Sequence, residues 1–167
     1  MQRKLGKATD QRLALLQNQV SYFLWYGKLK TTFARAKEVQ KLADKYITLA
    51  MGAYKDTVNV EKKKTVGSKE STVTVINDGE KKLAVRRTLM TALADIHEVR
   101  GEKETKKDYI IRAGDIKHPL IEKIFNEYAP RYAERAENVG QTGGYSSIYK
   151  LGARKGDAAE VSLIELI

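Results

Sequence analysis

The sequence predicts an α+β domain of two layers, in which helices pack on a small three-stranded sheet in the order α-β-α-α-α-β-β. Two observations carry this prediction. Apolar residues recur at helical spacing in four segments, whereas a segment near residue 30 and two segments near the C-terminus are short and strand-like. With 167 residues, 42% hydrophobic and 31% charged, the chain can form one domain with a modest core.

The first helix is predicted from Thr9 or Asp10, either of which can cap it, to Gly27, a typical C-terminal stop. Its expected buried stripe is Leu13, Leu16, Val20, Phe23 and Leu24. A brief strand is predicted over residues 28–31. Thr32 is expected to cap a second helix that ends at Gly52. The apolar face of this helix consists of Ala36, Val39, Ala43, Tyr46, Ile47 and Ala50.

Residues 54–79 predict a small β hairpin or meander, because Val and Ile alternate with polar residues and Asn-Asp-Gly closes the segment. The lysines at 62–64 are expected in a solvated turn. A third helix is predicted over residues 80–97, with an inner face of Val85, Leu89, Leu93 and Ile96. Residues 98–116 carry charges of both signs and few apolar side chains, which predicts an exposed and mobile charged loop.

The fourth helix is predicted to begin at Pro119 and to stop or kink at Pro130. Its apolar stripe is Ile121, Ile124, Phe125 and Tyr128. Two strands are predicted after it, over residues 145–151 and 161–166, and the last is apolar on both faces and therefore expected to be buried. Tyr145 and Tyr149 share one strand face, where we expect core packing rather than base stacking.

Positive charge is concentrated in the first 52 residues, which hold ten Lys/Arg and three Asp/Glu, or +7 of the chain's net +10. Such a local excess favours a polyanionic partner, and nucleic acid is the first to consider. The absence of cysteine excludes disulfides, thiolate catalysis and thiolate zinc sites, and favours a cytoplasmic setting. No apolar span or signal peptide is evident, so we expect no membrane association and a chain that begins where its gene does.

Five segments taken together resemble the bacterial large-subunit ribosomal protein L-seventeen family: RKLGK (3–7), KTTFARAKE (30–38), KYITLA (45–50), APRYAER (129–135) and GGYSSIYKLGARKGDAAEVSLIEL (143–166). The resemblance implies a protein without catalytic activity that binds large-subunit ribosomal RNA near the nascent-peptide exit, beside neighbouring large-subunit ribosomal proteins. Residues 54–79 and 98–116 have no counterpart in the shorter members. We therefore expect one domain over residues 1–167 with two insertions.

The chain departs from the family pattern at several positions. Basic residues are usual where it has Leu13 and Gln17, and an imidazole is common at Tyr26, so fewer phosphate contacts are expected from the first helix. Ala153 replaces the usual proline. Lys155 replaces the usual arginine, so the bidentate grip of a guanidinium is lost there.

The candidate RNA-binding residues are basic side chains of the N-terminal arm, the first strand, three helices and the last loop. They are Arg3, Lys4, Lys7, Arg12, Lys28, Lys30, Arg35, Lys37, Lys41, Arg86, Arg87, Arg154 and Lys155. Their expected mechanism is release of the cations condensed on RNA. Adjacent Arg86 and Arg87 point about 100° apart on a helix, so only one of them can face a given phosphate.

An enzymatic function is not expected. His97 and His118 are the only histidines, and His97 lacks the second histidine that a zinc-protease helix needs. No serine lies in a nucleophile elbow. We expect no catalytic residue, metal site, cofactor or small-molecule substrate. The alternative function is a general nucleic-acid-binding protein of the nucleoid type, which the charge would allow, although no segment has the character of a DNA recognition helix.

Overall fold

The computed structural model describes residues 3–66, 69–114 and 116–167, and these ranges contain five helices and two small sheets. The N-terminal part comprises α1 (Thr9–Tyr26), β1 (Lys28–Thr32), α2 (Phe33–Met51), β2 (Thr57–Val66), β3 (Lys69–Asp78) and α3 (Glu80–Ala92). After it come α4 (Lys106–Ala113), α5 (residues 119–139), β4 (Ser146–Ala153) and β5 (Glu160–Leu166). The predicted α+β class and the order α-β-α-α-α-β-β are confirmed, and the structure adds the β2–β3 hairpin and the short α4 to that order.

The main sheet is antiparallel in the order β1-β5-β4, so the last strand lies at its centre. Leu29, Ile164 and Ile148 are aligned across the three strands. Helix α2 packs against all three strands and also contacts α1 and α5. The prediction that β5 is buried on both faces is wrong. Ser162 and Ile164 are buried, but Leu163 between them and Val161 before them are only partly covered because helices lie on one side of the sheet.

The core lies between α1, α2, α5 and the inner face of this sheet. Leu16, Val20, Phe23 and Leu24 are fully buried as predicted, each contributing about 1.5–3 kcal/mol by burial. Leu13 is 51% exposed, contrary to the prediction, because it lies at the rim of a surface groove beside Leu42 and Tyr46.

Helix α1 ends where three elements meet. Gly27 terminates it in the left-handed conformation (φ 76°), which glycine adopts without strain. The Tyr128 hydroxyl donates to the Leu24 carbonyl (2.6 Å) and Lys123 Nζ donates to the Trp25 carbonyl (2.8 Å). The positive charge of a lysine at a helix C-terminus also interacts favourably with the helix dipole. These bonds fix the position of α1 on α5.

Strands β2 and β3 form a separate two-stranded ribbon, paired from Thr57 with Asp78 to Val66 with Lys69. The hairpin prediction is confirmed, but Lys62, Lys63 and Lys64 lie in β2 and not in a turn. At the base of the ribbon, the Asp56 carboxylate accepts from the Lys81 N–H (2.8 Å) and so caps α3. A Cβ on buried Gly79 would clash with this carboxylate, so a larger residue there would displace the Asp56 side chain from its capping position.

Helix α3 ends at Ala92, five residues before the predicted end at 97. The Leu93 backbone is extended, and the next N–H, of Ala94, donates to the Ser21 hydroxyl of α1 (2.8 Å). Ile96 therefore lies outside the helix. The segment predicted as a charged loop contains the exposed helix α4, which Thr105 caps by accepting from the Asp108 N–H. Arg112 of α4 pairs with Glu98 and Glu104.

Helix α5 begins with Pro119 in its first turn, as predicted, but it does not stop at Pro130. It is α-helical over Pro119–Lys123, forms a π turn over Ile124–Tyr128, and is α-helical again over Ala129–Val139. Pro130 has no N–H to donate to the helix. It directly follows the wider π turn, which the hydrogen bond from the Ala129 N–H to the Ile124 carbonyl closes. Among the helices of the described ranges, none is long and apolar enough to span a bilayer.

Candidate nucleic-acid interface

Three of the predicted RNA-binding residues meet in one groove at the start of α2. Lys30 of β1, Arg35 of α2 and Arg154 of the β4–β5 turn line a groove of about 470 Å³. We call it the basic groove; its other lining residues are Gln19, Thr31, Thr32 and Val161. Among the described residues, no carboxylate contributes to this lining, so the groove is suited to an anion.

The basic groove follows from how the chain joins β1 to α2. Thr32 ends the strand in an extended conformation and α2 begins at the next residue, so Lys30 and Arg35 flank the junction. Thr32 also pairs with Val161 of β5, which brings the β4–β5 turn and Arg154 to the same end of the sheet. Thr32 lies at the predicted cap position, but its side chain makes no capping hydrogen bond.

Arg154 is held by a neighbour in its own turn. Its guanidinium pairs with the Asp157 carboxylate, and its backbone N–H donates to the Ala159 carbonyl (3.1 Å). Hydrogen bonds from Arg154, and then from the Ala159 N–H, lower the pKa of Asp157 to about 2. Asp157 is therefore ionised at neutral pH and competes with any other anion for Arg154. Lys155, next in the turn, is exposed.

The N-terminal arm is attached to α2 by a carboxylate that is almost inaccessible. The Glu38 side chain is 3% exposed, and it pairs with Lys41 (3.4 Å) and with Arg3 (4.0 Å). Leu5 packs against the core. These contacts give Arg3 and Lys41 a structural role that their positions in the sequence did not reveal. Lys4 and Lys7 of the same arm are exposed.

A second group of cations surrounds Phe33, the first residue of α2. Lys37 Nζ lies 4.8 Å from the ring centroid, and Lys150 Nζ of β4 lies 4.5 Å from it. Lys150 was not among the predicted RNA-binding residues, although it lies in the alternating segment predicted as β4. Lys28 is exposed on β1, and Arg12 of α1 is partly buried with its Nε unbonded among the described residues.

Arg86 and Arg87 do not line the basic groove. Partly buried Arg86 pairs with Asp78 at the base of the hairpin and with Glu122 of α5. Its guanidinium therefore joins three elements of the fold. Arg87, one residue later, is exposed, in line with the divergence expected for neighbours on a helix.

The remaining residues that the sequence singled out are two tyrosines of the C-terminal part and the two histidines. Tyr145 is buried and confirms the core-packing prediction, whereas Tyr149 is 53% exposed and contradicts it. His97 Nε2 and His118 Nδ1 both contact one oxygen of Asp95, at 3.1 and 3.3 Å. Within residues 3–66, 69–114 and 116–167, no group of three or more His, Asp or Glu could hold a metal ion.

Comparison with known proteins gives one family. The family described as Ribosomal protein L17 matches residues 15–167. Three curated relatives are each named Large ribosomal subunit protein bL17. That of Lachnospira eligens is 38% identical over 196 aligned residues, covering 99% of this chain and 98% of the relative. Those of Clostridium acetobutylicum and Acetivibrio thermocellus are 34% and 32% identical, each covering 99% of this chain and 96% and 98% of the relative.

Proposed function

Because the chain belongs to the ribosomal protein L17 family, we propose that it binds large-subunit ribosomal RNA through the basic groove and the cations around it. As a member of this family it is a structural component of the large ribosomal subunit. Such a role needs no catalytic residue.

The observation that carries the proposal is the convergence of Lys30, Arg35 and Arg154 on one groove, which no carboxylate of residues 3–66, 69–114 and 116–167 lines. Arg154 already pairs with Asp157, whereas the positive charges of Lys30 and Arg35 repel each other unless an anion lies between them. RNA phosphates neutralise such a cluster and release condensed cations, which makes binding favourable and dependent on salt. Lys37 and Lys150 add positive charge beside Phe33 at the start of α2, where Lys150 also pairs with Glu160 (3.7 Å).

The proposal includes a position near the nascent-peptide exit and contacts with neighbouring large-subunit proteins, both implied by the family resemblance. Site-specific cross-linking from Lys4 or Lys7 in assembled ribosomes tests the position. Cross-links to exit-region RNA are expected, and cross-links confined to other regions would contradict it.

Binding to a large-subunit ribosomal RNA transcript over a range of salt concentrations tests the RNA-binding function. If about seven phosphates are neutralised, matching the +7 charge of residues 1–52, log K should fall with log salt at a slope of roughly −5 to −6. The protein should also co-sediment with the large subunit and be released by a high-salt wash. A slope near zero would contradict the proposal, and equal affinity for duplex DNA would favour a general nucleic-acid-binding protein.

A further inference from the structure

Two large aromatic side chains of α1 lie on its solvent side. Tyr22 and Tyr26 are 50% and 61% exposed, and their rings stack with centroids 6.0 Å apart and planes 4° apart. Aromatic rings stabilise a protein mainly when they are buried, so a stacked pair that stays exposed indicates a surface that a partner can cover. Contacts within the described protein leave their outer surfaces uncovered.

The helical repeat places this pair beside the basic groove. Gln19 lines the groove and donates from Nε2 to the Thr31 hydroxyl of β1 (3.2 Å). Tyr22 and Tyr26 follow Gln19 by three and seven residues, so they share its face of α1 at about 5 and 10 Å along the axis. Arg12 precedes Gln19 by seven residues on the same face. One face of α1 therefore presents a cation, the wall of the basic groove and two stacked rings, in that order.

We propose that the Tyr22–Tyr26 pair stacks on an unpaired base of the ribosomal RNA whose phosphates occupy the basic groove. This inference rests on the proposed function and adds a second mode of contact to it. A nucleotide carries both an anionic phosphate and a flat π surface, and single-stranded nucleic acid is commonly bound by aromatic rings beside cations. The faces of the rings accept any base, so the contact favours unpaired RNA without reading its sequence.

Charge favours RNA over a protein as the occupant of this face. An apolar protein surface that covered the two rings would also approach exposed Lys28 and Lys30 and would remove their charges from water without compensation. RNA covers the rings and neutralises these lysines in one interface. The pair also supports its own helix weakly as neighbours four residues apart, which explains its order but not its exposure.

The test compares two double variants of the full-length protein. Tyr22→Leu with Tyr26→Leu keeps apolar area and helix propensity but removes both π faces. Tyr22→Phe with Tyr26→Phe keeps the rings and is the matched control. The probe is a single-stranded adenosine octamer with 2-aminopurine at its centre, whose fluorescence is quenched on stacking. Melting temperatures of both variants are measured first and should remain close to that of the unchanged protein.

The unchanged protein and the phenylalanine variant should quench the probe and bind it with similar affinity. The leucine variant should lose the quenching and about tenfold in affinity. Its salt slope should be unchanged, because no phosphate contact is removed. The leucine variant should also prefer the single-stranded octamer over an RNA duplex less strongly than the unchanged protein does.

Equal quenching and affinity in the leucine variant would overturn the inference, as would an equal loss in the phenylalanine variant, because the rings would then not be responsible. The proposed function is tested independently of the stacking inference by a second pair of substitutions. Lys30→Gln with Arg35→Gln should weaken binding to the ribosomal RNA transcript and flatten the salt slope, whatever the leucine variant does. If the transcript binds as proposed but the octamer is not quenched by the unchanged protein, only the stacking inference is wrong.

Discussion

Single cations of this chain divide into those that hold the fold and those that remain available to a partner. Arg86 connects the hairpin base to α5, and Arg3 and Lys41 neutralise the nearly inaccessible Glu38. Removing a partner of a buried charge is costly, because the remaining charge is left without compensation. Substitution of these three residues should therefore disturb folding as well as any binding. Lys30 and Arg35 lie instead at the groove surface.

Arg154 is intermediate, because its guanidinium lies at the basic groove but pairs with Asp157 of its own turn. We predict that Asp157→Asn increases affinity for the ribosomal RNA transcript and steepens the salt slope by about 0.7–0.9, the contribution of one further phosphate contact. Both quantities are measured by titration at several salt concentrations. Glu137→Gln, which removes one carboxylate from the exposed pair with Lys55, is the charge-matched control and should change neither quantity appreciably. Equal effects of the two substitutions would indicate net charge alone.

Among the elements, the β2–β3 hairpin depends least on the rest of the fold. Its strands pair only with each other within the described ranges, and its contacts with the body are concentrated at α3 and at the base. Asp56 caps α3, and Asp78 pairs with Lys82 and Arg86. The base therefore has a structural role that the strands beyond it lack. A two-stranded ribbon is also marginally stable by itself in water.

We predict that residues 59–76 can be replaced by Asn-Gly. Val58 and Asn77 are cross-strand partners, so a two-residue turn can join them without moving the base. The melting temperature should change little and unfolding should remain cooperative, because Asp56, Asp78 and Gly79 are retained. In contrast, Asp78→Asn in the full-length chain should lower the melting temperature by breaking two ion pairs. Loss of cooperative thermal unfolding in the shortened chain would show that the hairpin belongs to the core.

At the scale of the whole molecule, the proposed RNA-binding surface and the core are formed by different residues. The core is apolar and lies between α1, α2, α5 and the inner face of the sheet, whereas the basic groove lies where β1, α2 and the β4–β5 turn meet at the surface. Exposed charges contribute little to stability, so they can change without unfolding the protein. Fully buried side chains cannot, because their loss leaves cavities.

We predict that changing Lys28, Lys30, Arg35 and Lys37 together to glutamine weakens RNA binding and flattens the salt slope by about 3–4, while the melting temperature stays nearly constant. Each single truncation to alanine of a buried side chain should instead cost about 2–5 kcal/mol, with binding lost only as the chain unfolds. The residues to truncate are Leu16, Ile47, Phe125 and Ile164. Thermal melts and RNA titrations on both sets provide the comparison. An early-melting glutamine variant with undiminished RNA affinity would contradict this division.

The sequence by itself determined the α+β class, most of the helix and strand bounds, the hairpin and the excess of positive charge in the first 52 residues. These properties are local, because they depend on spacing, caps and composition within one segment. The stripe on α1 could be predicted from periodicity because each buried position recurs at a helical interval. The start of α2 could be predicted because Thr32 follows a strand and precedes a regular apolar face.

Only the tertiary structure decided which of these residues meet. Arg154 reaches Lys30 and Arg35 because β5 pairs with β1 across more than 120 residues of chain, which no local pattern encodes. Arg86 has a structural role that its position in the sequence does not show, because Asp78 and Glu122 converge on it from two other elements. Leu13 follows the helical interval of α1 but lies half-exposed at the rim of a surface groove. Ile96 follows the interval of α3 but lies beyond the end of that helix. Burial and pairing depend on contacts between distant segments, so only the folded chain reveals them.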